Sequence, residues 1–228
     1  MKVLIAIDSM KGSLSSIEGG RAISEGIYRV LTNADCEVRP LADGGEGTLE
    51  ALVSGLRGEI KEITVSGPNN KPVTALYGLI GNTAVIEMAR AAGITLVTDD
   101  EKNPLVTTTY GVGEMIADAI KKGARKFIVG IGGSATNDAG TGMLQALGFK
   151  FYDFNGKEIT DCRGGRLQDI ADLDDSFVPK SVKEAQFIVA CDVDTPFCGP
   201  EGAAPVFAPQ KGADAEMVAR LDAGMTSF

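Results

Sequence analysis

The chain has 228 residues, of which 44% are hydrophobic and 23% charged, and its net charge is −9. This composition is ordinary for a globular protein with a packed core, and the acidic balance argues against a nucleic-acid partner. The sequence contains no histidine, which excludes Ser-His-Asp and Cys-His nucleophiles and histidine-ligated metals. We expect acid–base chemistry from Asp, Glu, Lys, Tyr or Cys, and any metal to be a hard cation bound by oxygen.

No apolar run approaches the length of a membrane span, and residues 1–7 indicate a first buried strand rather than a signal peptide. The four cysteines lack zinc-type spacing, so we interpret them as reduced thiols of a cytoplasmic protein. The length allows one large domain or two small ones.

The first third of the chain predicts alternating strands and helices. The predicted elements are a strand at 2–7, a helix from 15 to about 31, a strand at 37–41, and a helix ending at 56. Ser15 and Glu18 form the capping-box pattern that begins the first helix. Polar loops at 8–13 and 43–48 follow the two strands.

The rest of the chain continues the alternation. The predicted elements are strands at 59–65, 73–80 and 83–88, a helix at 111–122, a strand at 126–129, a hairpin turn at 153–157, a buried strand at 187–190, and a last helix from 214. This order predicts an α/β fold with a largely parallel sheet. Since ligands bind at the carboxyl ends of such strands, the loops at 8–13, 43–48, 130–138 and 191–195 are candidate site segments.

The loop Gly130-Ile-Gly-Gly-Ser-Ala-Thr-Asn-Asp138 is the strongest of these candidates. Its glycines allow close backbone approach to a ligand, and a helix predicted from Ala139 would add the positive end of its dipole. Phosphate is the expected occupant, although the loop matches neither the Walker nor the dinucleotide pattern. Asp138 could cap the helix or hold a cation. The alternative is a tight turn whose polar side chains only cap the helix.

Five further residues have functional groups whose role the sequence pattern leaves open. Asp43 lies in a glycine loop after a strand and suits a metal ligand or a general base, or else an Asx turn. Lys11 could neutralise a phosphate or a substrate carboxylate, or be solvated. Arg90 could fork onto a carboxylate, or form a surface salt bridge. Asp192 and Asp194 end a strand and could bind metal or serve as caps.

Seven segments together resemble one family, the bacterial type I glycerate kinases. They are Ile5-Ala-Ile-Asp-Ser-Met-Lys-Gly-Ser-Leu14, Leu41-Ala-Asp-Gly-Gly-Glu-Gly-Thr48, Ala84-Val-Ile-Glu-Met-Ala-Arg-Ala-Ala-Gly-Ile94, Thr108-Thr-Tyr-Gly-Val-Gly-Glu114, the loop 130–138, Cys191-Asp-Val-Asp-Thr-Pro196 and Gly202-Ala-Ala-Pro-Val-Phe-Ala-Pro-Gln-Lys-Gly-Ala213. The resemblance covers essentially the whole chain, in order.

The resemblance implies ATP-dependent phosphorylation of D-glycerate with Mg²⁺ in the cytoplasm, the 2-position being favoured. It also implies two α/β domains, the first Rossmann-like and interrupted by the second, with the active site between them. We divide the chain into 1–66, part of the first domain, and 67–228, the second. Kinases for another small sugar acid, phosphatases and a non-catalytic fragment remain alternatives.

We assign the candidate residues by role. The catalytic candidates are Lys11, Asp43, Asp138 and Asp192, of which Asp43 and Asp192 are also the metal candidates. The ATP-binding candidates are Gly132, Gly133, Ser134, Thr136 and Asn137. The substrate-binding candidates are Asp8, Lys11, Gly44, Gly45, Glu46 and Arg90.

Members of the resembling family are longer, with a later segment that carries Gly-Glu-Gly-Arg and Asp-x-Gln-Thr motifs. The resemblance implies that this segment completes the first domain, so we expect a truncated domain, no kinase activity from the 228 residues alone, and self-association. Smaller departures are Met10 where Phe is usual, Thr195 where Asn is usual, and Ala139 where Gly is usual.

Overall fold

The computed structural model describes residues 1–8, 10, 13–41, 47–191 and 193–228. The strands are β1 (Lys2–Ile7), β2 (Asp35–Pro40), β3 (Glu59–Ser66), β4 (Pro72–Ile80), β5 (Thr83–Glu87), β6 (Lys126–Gly130), β7 (Lys150–Tyr152), β8 (Glu158–Ile159), β9 (Asp172–Asp174) and β10 (Gln186–Ala190). The helices are α1 (Ser16–Val30), α2 (Thr48–Leu56), α3 (Ala89–Ala92), α4 (Tyr110–Lys121), α5 (Thr141–Ala146), α6 (Lys180–Lys183), α7 (Ala203–Phe207) and α8 (Ala215–Ser227). This mixture of helices and sheets is the α/β class predicted from sequence.

A parallel pair of strands and its crossover helix open the chain. β1 and β2 pair in parallel, and α1 connects them. The predicted capping box is confirmed, because the Ser15 hydroxyl accepts from the Glu18 N–H while the Glu18 carboxylate accepts from the Ser15 N–H at 3.1 Å. These reciprocal bonds satisfy two helix-end donors and fix where α1 begins.

The central sheet has five strands in the order β10-β6-β5-β4-β3 and is mixed. β5, β6 and β10 run parallel, as predicted, but β3, β4 and β5 form an antiparallel meander. The expectation of a largely parallel sheet is therefore only half right. The reason is connection length: a turn at 67–71 and another at 81–82 are too short for the crossover that parallel strands require.

The pairing of β3 with β4 bears on domain division. Ser66 pairs with Pro72, and the ladder runs through to Glu59 and Leu79. The central sheet therefore extends across the residue 66 boundary of our sequence-based division, and β3 belongs with the later strands. The two-domain arrangement itself stays a prediction.

The main core lies between the central sheet and α4. Tyr77, Ile86 and Phe127 from the sheet pack with Met115 and Ile116 from the helix, and all are fully buried. A second core joins α8 to a small antiparallel sheet of order β8-β7-β9, whose β7–β8 turn is the predicted hairpin. Burial of these apolar faces supplies the main stabilisation of the fold.

The expectation of a buried strand at 187–190 is wrong. β10 is the edge of the central sheet, and Phe187, Ile188 and Val189 are 41%, 54% and 57% exposed. An apolar run fits a buried strand and an uncovered edge equally well, because hydrophobicity does not report what packs against it. The described part of the chain has no helix long and apolar enough to cross a membrane.

Candidate active site

The carboxyl ends of three parallel strands, β5, β6 and β10, lie side by side at one end of the central sheet. Gly130, the last residue of β6, is in register with Glu87 of β5 and Ala190 of β10. The loop 131–138 therefore begins at the middle of this end of the sheet. Ligands of open α/β sheets bind at this position, and the loop predicted from sequence as a candidate site lies there.

Two hydrogen bonds anchor the loop 131–138 to the turn after α3. The Ala135 N–H donates to the Ala92 carbonyl at 2.8 Å, and the Ile94 N–H donates to the Gly133 carbonyl at 2.8 Å. Gly133 has φ +71°, in the left-handed region that favours glycine. The turned backbone leaves the N–H groups of Gly132, Gly133 and Ser134 with no acceptor among the described residues. Successive N–H groups at a turn are a known way of binding an anion, which makes this turn a candidate anion site.

Asp138 closes the loop as a buried cap. Its side chain is 2% exposed, and its carboxylate accepts from the Thr109 N–H and hydroxyl at 2.8 Å each. It also accepts from the N–H groups of Gly140 and Gly142 at 3.2 and 3.3 Å. Burial raises the pKa of Asp138, and these four donors oppose that rise. The capping alternative stated from sequence therefore matches the geometry.

The predicted helix after the loop begins later than expected. α5 starts at Thr141 and has six residues, since Ala139 and Gly140 both take left-handed φ values of 51° and 74°. Glycine adopts this conformation without strain, which explains why Gly is usual where Ala139 stands. Because the Asp138 carboxylate occupies the helix N-terminus, the helix dipole does not supply the anion site. A candidate anion site at this loop would therefore depend on the N–H groups that have no acceptor among the described residues.

Lys211 is the residue that the role assignments missed. It ends a 3₁₀ turn at Pro209–Lys211, is 7% exposed, and donates from Nζ to the Ser134 hydroxyl at 2.8 Å and the Thr136 carbonyl at 2.5 Å. Burial lowers the pKa of Lys211 to about 8, and the charge of Asp138 opposes the fall. The segment 202–213 had been recognised as part of the family resemblance, but nothing in its spacing shows that it folds back onto the loop.

A cavity of about 650 Å³ lies beside the loop. Its polar end is formed by Ser134, Thr136, Asn137, Asp138 and Lys211, and the remainder is mostly apolar. Thr136 and Asn137 are 4% and 8% exposed, and the Asn137 amide contacts the Met225 sulfur at 3.1 Å. Ser134 is therefore the more accessible hydroxyl of the predicted ATP-binding residues, and Thr136 contributes its carbonyl.

Arg90 lies in an acidic network at the end of β5. Its Nε donates to Glu87 at 2.8 Å and its Nη2 to Glu50 at 2.6 Å. Glu87 is 3% exposed and its other oxygen accepts from the Leu49 N–H at 2.9 Å, at the start of α2. This geometry fits the salt-bridge alternative for Arg90. It also ties the end of β5 to the helix that follows the loop 43–48.

Several predicted residues lie outside the described residues. They are Lys11, Asp43, Gly44, Gly45, Glu46 and Asp192. Asp8 follows directly after β1, and Asp194 is exposed beyond β10. Within the described ranges, no group of three or more His, Cys, Asp or Glu side chains is arranged to hold a metal.

Comparison with known proteins gives one consistent result. The model of the glycerate kinase family matches residues 3–228. The glycerate kinase of Bacillus subtilis strain 168 is 49% identical and the glycerate 2-kinase of Escherichia coli K12 is 45% identical, each over 100% of this chain and 60% of the relative. A solved structure assigned as glycerate kinase 2 from Salmonella typhimurium LT2 is 46% identical, with a TM-score of 0.91 over 99% of this chain and 61% of that one. The chain thus spans about 60% of the length of the relatives it matches.

Proposed function

This chain belongs to the glycerate kinase family, and from that premise we propose that the protein transfers the γ-phosphoryl group of ATP to D-glycerate. The product is a phosphoglycerate, with the 2-hydroxyl as the favoured acceptor. The enzyme is a cytoplasmic phosphotransferase with an alcohol acceptor. Its partners are small molecules.

One observation carries the proposal beyond family membership. The loop 131–138 lies at the carboxyl ends of the strands of the central sheet, and its Gly132, Gly133 and Ser134 N–H groups have no acceptor among the described residues. Phosphoryl oxygens are the ligands that a candidate anion site of this kind prefers, since each free N–H can donate to one. A phosphoryl donor is therefore the ligand class that the described geometry fits best.

The reaction needs positioning and charge neutralisation more than covalent chemistry. The glycerate hydroxyl attacks the γ-phosphorus, the bond to the β-phosphate oxygen breaks, ADP leaves, and the hydroxyl proton passes to a base. We propose Asp43 or Asp192 for that base. Asp138 has a positioning role, because its carboxylate is occupied by four donors.

The remaining assignments follow the sequence. Lys11 and Asp8 are proposed for substrate binding with Gly44, Gly45 and Glu46. Mg²⁺, when bound, offsets charge on the transferring phosphoryl group, and Asp43 and Asp192 are its proposed ligands. Arg90 can bind the substrate carboxylate only with guanidinium N–H groups that its hydrogen bonds to Glu87 and Glu50 leave available.

The test is ADP formation from ATP, Mg²⁺ and D-glycerate by the protein encoded by the complete reading frame that contains these residues. Asp43→Asn should lower kcat by about 10²–10⁴-fold with an unchanged melting temperature, as expected for loss of a positioned base. Asp35→Asn, an exposed change in β2, serves as the control. The function proposed here is wrong if D-glycerate does not stimulate ADP formation, and the role of Asp43 is wrong if its variant turns over normally.

A further inference from the structure

Lys211 is a buried cation that forms no ion pair with any described residue. Its side chain is 7% exposed, and none of the ion pairs between described residues includes it. Asp138 is close enough to affect its charge but does not form an ion pair with it. A buried ammonium is costly unless an anion pairs with it, so this position is suited to a bound anion.

The two hydrogen bonds of Lys211 do not exhaust its donors. An ammonium has three N–H groups, and the Ser134 hydroxyl and the Thr136 carbonyl occupy two of them. The Ser134 contact places the charge one side chain away from the free N–H groups of the loop. Lys211 and Ser134 also line the polar end of the same cavity.

We propose that Lys211 is the phosphoryl-binding cation of this site, neutralising an oxygen of a phosphoryl group held by Ser134 and by the free N–H groups of Gly132 and Gly133. This assignment rests on the proposed function and specifies where the phosphoryl donor binds. In this assignment the positive charge at the site comes from the side chain of Lys211, in a distant segment of the chain. It does not come from the dipole of α5, because Asp138 occupies the N-terminus of that helix.

The alternative is that Lys211 only holds the loop in place through Ser134 and Thr136. The two roles differ in what a folded variant does. A purely structural lysine affects the melting temperature, but a folded variant still binds the anion through backbone N–H groups. A phosphoryl-binding lysine sets the affinity for the anion itself, and arginine restores part of it, because a guanidinium also binds phosphate.

The experiment measures the binding of inorganic tripolyphosphate by calorimetry in the protein encoded by the complete reading frame. Lys211→Met should raise the dissociation constant at least tenfold, and Lys211→Arg should recover part of the loss. Lys183→Met is the matched control, since Lys183 lines the same cavity but pairs with Asp175 at 2.9 Å. A tripolyphosphate titration followed by NMR should shift the Ser134 amide in the unmodified protein and not in Lys211→Met.

Two results would overturn the assignment. One is unchanged tripolyphosphate affinity in folded Lys211→Met. The other is the absence of tripolyphosphate binding by the unmodified protein. If Lys211→Met does not fold, the tripolyphosphate affinities of Lys211→Gln and Lys211→Arg are compared instead. Lys211-dependent anion binding without phosphoryl transfer to D-glycerate would leave this assignment standing and contradict only the proposed function.

Discussion

At the scale of single residues, the buried charge of Lys211 has a measurable effect on stability. Burial lowers its pKa from 10.5 to about 8, so between these values the unfolded chain binds a proton that the folded chain lacks. Stability therefore rises with pH in this window, because protons are released on folding. Below about pH 8 Lys211 is protonated in both the folded and the unfolded chain, so the full cost of burying its charge lowers the free energy of unfolding.

Lys211→Met removes this titration. We expect the stability of the unmodified protein, relative to the variant, to increase by about 2 kcal/mol between pH 8 and pH 10. Urea denaturation of both proteins at several pH values measures the difference, and groups that titrate in both cancel. A difference that stays flat, or falls with pH, would show that the lysine is not buried as described.

Thr109 gives a second prediction at this scale. Its hydroxyl donates to Asp138 and accepts from the Met143 N–H at 2.9 Å, and the side chain is 3% exposed. Thr109→Val keeps the shape of the side chain but leaves the part-buried Met143 N–H without this acceptor and the buried Asp138 carboxylate with one donor fewer. We expect a loss of about 1–3 kcal/mol in thermal or urea unfolding. The same change at exposed Thr64 should cost nothing measurable, and equal effects at both positions would contradict the account.

The residues of the candidate site were only partly predictable. The loop 130–138 could be located because glycines and hydroxyl residues follow an apolar strand. The sequence does not distinguish the capping role of Asp138 from a cation-binding role, since the burial and the partners of its side chain depend on segments far away in sequence. Lys211 lies 77 residues from Ser134, and no local pattern reports a contact of that range.

At the scale of secondary-structure elements, two helices show how differently an N-terminus can be capped. α1 uses the local box of Ser15 and Glu18. α2 begins after Gly47, which has no side chain to cap it, and its N-terminal Leu49 N–H is bound by Glu87 from the end of β5. Glu87 is buried and also pairs with Arg90. The start of α2 is therefore held by a residue of the central sheet.

Glu87→Ala should consequently cost more than removal of the local cap. We expect about 2–4 kcal/mol, because the change removes the buried one of the two carboxylates that bind Arg90 and leaves the Leu49 N–H without its acceptor. Ser15→Ala, at an exposed cap, should cost about 1 kcal/mol. Urea unfolding compares the two, and hydrogen exchange at Leu49 should accelerate only in Glu87→Ala. Equal costs would mean that α2 does not depend on the contact from β5.

Elements with local signals were predicted well, and those defined by their surroundings were not. The capping box gave the start of α1, and the Asn-Gly turn gave the β7–β8 hairpin, since both depend on neighbouring residues. The antiparallel direction of β4 was missed, although its two-residue connection to β5 contains the necessary information. The exposure of β10 could not be predicted from its apolar sequence, because a strand that is covered by other elements can have the same apolar sequence.

At the scale of the whole molecule, the central sheet has an uncovered apolar edge. β10 pairs only with β6 among the described strands, and Phe187, Ile188 and Val189 are about half exposed. Phe187 stacks on Phe127 at 4.8 Å on the face that lines the cavity, and Ile188 points to the other face. An unpaired strand with apolar side chains on both faces is a template for pairing with another chain.

We therefore expect the 228-residue chain to self-associate through β10 and Ile188→Lys to reduce that association. A lysine at an edge disfavours strand pairing between copies, because two like charges would be brought together and desolvated. Ile188 does not line the cavity, so the change should leave the loop 131–138 intact. Sedimentation velocity over a range of concentrations measures the effect, with Val30→Lys as the control, since Val30 is 82% exposed at the end of α1. Association that persists unchanged in Ile188→Lys, or that Val30→Lys abolishes equally, would place the contact elsewhere. A monomer at all concentrations would show that β10 does not mediate self-association, although it is exposed.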